Sequence, residues 1–277
     1  MMNTRQKCLV YFLKQSGQCS KMKLSKVFFL MSKDKSLTKF KFYGFVPYKY
    51  GPYSFELFHD LEMLEREGII ETDDTNIKFI NGTVDLQEDT MNMVDFFFDE
   101  TKSMDDNDMV EFTYEKYPKY TIFSEIKKKM AYSRDEIGII TIGYEGLSID
   151  EFMMKLIDEK IQVLVDVRNN PWSMKYGFTG KSLNILCGKM GVEYIGLPEV
   201  GIPSELRKTL ETKEDYDALF RHYRKFISKK EKELDMLLGL GREKKIALMC
   251  FEKDPEMCHR TVLAEELGRR EKGVVIV

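Results

Sequence analysis

Between residues 137 and 277, short apolar runs recur with room for a helix between them. They are IGIITI (137–142), VLVDV (163–167), VEYI (192–195), IALMC (246–250) and GVVIV (273–277). Aliphatic, β-branched runs of this length suit strands buried on both faces. The stretches between them are long enough for crossover helices, and helical crossovers make neighbouring strands parallel. Helices are predicted over 149–159, 181–189, 214–238 and 259–267. The expectation is therefore an α/β domain over 134–277, a mostly parallel sheet flanked by helices.

In open parallel sheets, ligands gather beyond the carboxyl ends of the strands. That edge would collect Gly143, Tyr144 and Glu145 after the first strand, and Asp166 and Arg168 after the second. It would also collect Cys250, Glu252 and Lys253 after IALMC, and Cys258, His259 and Arg260 at the start of the next helix. Asp166, Glu252, Cys258 and His259 are the candidate catalytic groups. Two carboxylates can divide acid and base roles, and a thiol at a helix N-terminus is favoured as thiolate. Gly143, Tyr144, Arg168, Asn169, Lys253 and Arg260 are the candidate ligand-binding set, because guanidinium forks suit phosphate.

Plainer roles fit several of these residues. Asp166 and Arg168 can pair to order loops, Cys258 can be a small buried residue, and Cys250 reads as scaffold at the end of a buried strand. Trp172 reads as a hydrophobic anchor, with base stacking as the alternative. Cys250, Cys258 and His259 offer three zinc ligands. No fourth is evident, however, and adjacent Cys and His rarely reach one ion, so no metal is expected. No five-residue loop joins a Cys to an Arg, which excludes the phosphatase arrangement.

Residues 1–133 read as a mainly α, winged-helix-like domain with an acidic helical extension. Helices are predicted over 4–15, 21–33 and 54–66, followed by two short strands in IIETDDTNIKFI. Met93, Val94, Phe97 and Phe98 suit a further helix. DDNDMVE lacks the glycine and terminal glutamate of a calcium loop. Residues 1–50 carry eleven Lys/Arg and one acid, whereas residues 51–110 carry three basic and seventeen acidic residues. A polyanion would therefore prefer the first stretch. The third helix, with Glu56, Asp60, Glu62, Glu65 and Glu67 against Arg66, would repel phosphate. Lysines 21, 23, 26, 33, 35, 39, 41 and 49 would have to make any nucleic-acid contact. The aromatic group Tyr43, Phe45, Tyr48, Tyr50 and Tyr53 reads as core and turn packing.

TIGYEG, VDVRNNPWS, YIGLPEVG (194–201) and above all CFEKDPEMCHR (250–260) resemble the domain-of-unknown-function family numbered 488. The resemblance spans the second domain and implies no settled reaction. FVPYKYGPYSFELFHDLEMLEREGII (45–70) and TYEKYPKYTIFSEI (113–126) resemble antitoxin-like bacterial and archaeal winged-helix domains, which implies a nucleic-acid or protein partner.

The five cysteines form no CxxC pair, and the apolar run at 8–13 is too short for a signal peptide or a membrane span. A cytoplasmic protein with no membrane partner is expected. The functional expectation is an enzyme acting on nucleic acid or a nucleotide, by hydrolysis or transfer; the cofactor is unknown. The alternative is a non-enzymatic DNA- or protein-binding regulator that senses an anionic small molecule. No Walker loop or standard triad is present to decide between them.

Overall fold

The computed structural model describes residues 2–34, 41–203, 206 and 212–274. Its contacts divide the chain into two units, Met1–Tyr132 and Ser133–Val277. No described helix is long and apolar enough to cross a membrane.

In the first unit, α1 (Thr4–Ser16) opens on a reciprocal capping box between Asn3 and Gln6 and leaves through Gly17 at φ +64°. β1 (Gln18–Ser20) follows, and Ser20 then caps α2 (Lys21–Ser32). A hairpin of β2 (Val46–Tyr48) and β3 (Gly51–Tyr53) leads through the Ser54 cap into α3 (Phe55–Arg66). β4 (Ile70–Thr72) and β5 (Asn76–Phe79) then pair antiparallel, and β1 adds to β5 to make a three-stranded sheet in the order β1-β5-β4. Three residues are too few to display alternation, which is why β1 has no sequence signal. The acidic stretch forms two helices, α4 (Glu88–Thr101) and α5 (Asp106–Lys116). The core runs from Leu9, Phe12 and Leu13 through Val27, Phe28 and Phe29 to Leu57, Leu61 and Leu64. Tyr43 and Phe45 are buried in it, whereas Tyr50 stands out in solvent.

The basic face expected here is largely spent inside the unit. Lys21 donates to the Asp73 carbonyl, Lys23 to that of Met104 and Lys33 to the Tyr120 hydroxyl. Lys35 and Lys39 lie outside the described residues. Lys26 is buried, with its ammonium donating to the carbonyls of Tyr50 and Pro52.

Burial lowers the Lys26 pKa to about 7, opposed weakly by the charge of Asp106. The unfolded chain therefore binds more protons than the folded one from pH 7 upward, and stability rises with pH in that window. The expected gain from this one group between pH 7 and 8 is about 1 kcal/mol. Hydrogen exchange of α2 amides at the two pH values should show it in the wild type and lose it in Lys26→Met.

The second unit begins with β6 (Gly138–Gly143), α6 (Ile149–Asp158), β7 (Val163–Asp166), α7 (Gly180–Lys189) and β8 (Glu193–Gly196). It continues with α8 (Lys213–Ile227), α9 (Glu231–Glu243), β9 (Lys245–Cys250) and α10 (His259–Arg270). The sheet is parallel throughout, in the order β6-β9-β7-β8. Every residue of β9 is buried, as its interior place requires.

The single helix predicted over 214–238 is two helices, broken at residues 228–230. The apolar series Phe220, Tyr223 and Ile227 resumes at Leu234, two turns on, so hydrophobic periodicity runs through the break unaltered. Of the expected strand at 273–277, residues 275–277 lie outside the described residues. The Val274 carbonyl accepts a bond of 2.8 Å from the Ile139 amide.

Candidate functional site

Register places the candidate residues. Gly143 sits opposite Cys250, and Asp166 opposite both Met249 and Gly196, so the ends of β6, β9, β7 and β8 form one edge. The turn after β6 is fastened to the loop after β9: the Tyr144 and Glu145 amides both donate to the Phe251 carbonyl, and the Glu145 carboxylate accepts from the Lys253 amide at 2.9 Å. Gly143 is required by proximity, since a Cβ there would lie 2.0 Å from the Glu252 carbonyl oxygen.

Along this edge the candidates gather into two groups. The first is centred on Asp166, which is buried. Its carboxylate takes a two-point bond from the Arg168 guanidinium, at 2.8 Å from Nε and 2.6 Å from Nη2. It also accepts from the Tyr194 hydroxyl at 2.8 Å and from the Arg168 amide at 3.1 Å. Arg168 further donates to the Tyr144 hydroxyl (2.7 Å) and the Phe178 carbonyl (3.0 Å), and the Tyr144 and Phe178 rings stack at 4.2 Å. The arginine expected to meet a ligand is thus directed at protein groups and folds the 167–179 loop onto the sheet edge.

The second group lies at the end of β9 and the start of α10. Glu252 Oε2 accepts from Cys250 Sγ at 3.1 Å and from Cys258 Sγ at 3.0 Å. His259 Nδ1 stands 3.8 and 3.9 Å from the same two sulfurs. The Sγ atoms of Cys250 and Cys258 and a ring nitrogen of His259 all lie within 4.8 Å of one another. His259 Nε2 is 3.0 Å from the Val167 carbonyl, which can only accept, so Nε2 carries a hydrogen and Nδ1 is the ring nitrogen turned to the two sulfurs.

Both cysteines and the histidine are buried, whereas Glu252 is half-buried. The neighbouring Cys258 sulfur, with His259, pulls the Cys250 thiol well below its ordinary value against the effect of burial. Burial, followed by the bond to Cys250, pushes that of Cys258 up. Burial and the Cys250 charge also raise the Glu252 carboxyl. Cys258, the helix N-cap, makes no side-chain capping bond; its sulfur turns to the cluster instead. Arg260 is buried as well, and its two terminal nitrogens donate to the Glu252 and Lys253 carbonyls at 2.5 and 3.2 Å, fixing that loop.

Asn169, Lys253 and Trp172 lie outside both groups. Asn169 and Lys253 are exposed, with the Asn169 amide 3.3 Å from the Pro198 carbonyl. Trp172, expected as an anchor, is 65% exposed; Met174 and Tyr176 in the same loop, and Phe251 in the loop after β9, are exposed as well. Sequence reasoning missed Tyr194 and Phe178 and put Cys250 with the scaffold. The signal for Cys250 was its two-residue separation from Glu252 across a strand end, where one turn can aim both side chains the same way.

Residues 148–267 match the family described as Domain of unknown function DUF488. The second unit is thus similar to that family over most of its length. The matched segment contains β7, β9 and both groups' acidic, thiol and imidazole residues, while the TIGYEG turn at 141–146 lies outside it. No residue of the first unit is matched, so the antitoxin-like resemblance gains no support. Neither the curated proteins nor the solved structures yield a match to this chain.

Proposed function

We propose that the chain is an enzyme acting on nucleic acid or a nucleotide, by hydrolysis or group transfer, at the carboxyl edge of the DUF488 sheet. The observation that carries this reading is the exposed set Trp172, Met174, Tyr176 and Phe251 in the loops that follow β7 and β9. Grouped apolar and aromatic side chains at a site edge serve ligands, and rings stack on bases without demanding a sequence. At the same edge the half-buried Glu252 supplies a carboxyl for proton transfer.

An anion sensor built on Arg168 and Arg260 has less support, since the Arg168 guanidinium is held by Asp166, Tyr144 and the Phe178 carbonyl and both terminal nitrogens of Arg260 donate to main-chain carbonyls. For the first unit, three helices with the β1-β5-β4 sheet support the winged-helix reading. Its acidic α3 and inward-turned lysines favour a protein partner over duplex DNA.

The test is incubation of the full chain with single-stranded and duplex oligonucleotides and with nucleotides, followed by mass spectrometry. A changed species is expected, and Trp172→Ala should weaken substrate binding by about 1–3 kcal/mol while leaving the melting temperature unchanged. Unchanged substrates across the panel would remove the enzyme reading.

A further inference from the structure

The Cys250–Glu252–Cys258–His259 group has the chemistry of a metal centre. The two sulfurs and one imidazole nitrogen, all on buried side chains, lie within 4.8 Å of one another, and a Glu252 carboxylate oxygen lies 3.1 and 3.0 Å from the sulfurs. In a tetrahedral site with Zn–S of about 2.3 Å and Zn–N of about 2.0 Å, S···N separations come to roughly 3.5 Å. The observed separations are 3.8 and 3.9 Å. The S···O separations of 3.1 and 3.0 Å are a few tenths shorter than such an ion would set, as expected of thiols bonding directly to the carboxylate.

The surroundings are also those of a ligating histidine. The nitrogen remote from the sulfurs is held by the Val167 carbonyl, the outer-shell bond that fixes tautomer and ring plane in metal sites. Arg260 locks the intervening loop by its carbonyls, which holds Glu252 and Cys258 over the end of β9. Adjacent Cys and His reach one point because Cys258 ends an extended stretch at φ −133° while His259 begins a helix, so their side chains leave the backbone in different directions.

We propose that Cys250, Cys258 and His259 bind a zinc-class divalent ion, with the Glu252 carboxylate beside the two sulfurs. Thiolate with imidazole selects such an ion over magnesium or calcium. The inference goes beyond the reaction proposed above and does not depend on it.

The test uses the full chain, purified under reducing conditions after growth with added zinc, and reads metal content by mass spectrometry together with cobalt(II) titration of the metal-stripped protein. About one equivalent of metal per chain is expected, with a thiolate-to-cobalt charge-transfer band and visible bands of tetrahedral intensity. Cys258→Ser should weaken cobalt binding by more than the roughly tenfold that loss of an outer-shell partner costs. Cys19→Ser, in the first unit, should bind as the wild type does. If Cys258→Ser fails to fold by circular dichroism, the wild-type cobalt spectrum decides alone. A folded wild type with neither bound metal nor a cobalt–thiolate band overturns the proposal. So does a folded Cys258→Ser protein that binds as tightly as the wild type.

Discussion

Arg168→Met is expected to destabilise the second unit by about 3–5 kcal/mol, the cost of removing one partner of a buried ion pair. The carboxylate left behind keeps only the Tyr194 hydroxyl and the residue-168 amide as donors, deep in the sheet edge. The same change also frees the Tyr144 hydroxyl and the Phe178 carbonyl, so the 167–179 loop loses its tie. Urea denaturation followed by far-ultraviolet circular dichroism measures the loss. The double variant Asp166→Asn with Arg168→Met should recover part of it, because no uncompensated charge remains. A loss below about 1 kcal/mol in Arg168→Met would show that the pair does not order the loop. A ligand-binding arginine behaves differently, lowering affinity with little change in stability.

Gly143→Ala is the second large effect. The new Cβ would stand 2.0 Å from the Glu252 carbonyl oxygen and 2.8 Å from its carbon, and the obstacle is backbone rather than a movable side chain. Either β6 or the loop after β9 must shift, with an overpacking cost of about 3 kcal/mol. Because the shifted segment carries Glu252, the variant should also pull its carboxylate away from the Cys250 and Cys258 sulfurs. An alanine variant with wild-type stability would mean that the two loops approach less closely than described.

Much of the second unit was legible in sequence because its strands are continuous apolar runs and its helices carry capping signals such as Ser148 and Thr179. Strand order was not legible, since nothing in IALMC says that it lies between IGIITI and VLVDV rather than at an edge. The carboxyl-end rule brought these strand-end residues to one edge, but it could not divide them. Asp166 and Arg168 face each other because residues two apart at a strand end point the same way, whereas the thiols meet only through the turn into α10. The lysines of the first unit show the limit of counting charge, because Lys26 contributes to a positive sum while its ammonium lies inside.

The interior position of β9 has a consequence for how the second unit is made. Among the described strands β6 pairs only with β9, and Gly138 finds its partner in Lys245. During synthesis β6 and β7 therefore leave the ribosome with their facing edges open, and they stay so until almost the whole unit has emerged. Pairing so distant in sequence closes a long loop and slows folding. Until β9 inserts, those apolar edges are open to other chains, so this unit should need a chaperone's shelter during synthesis.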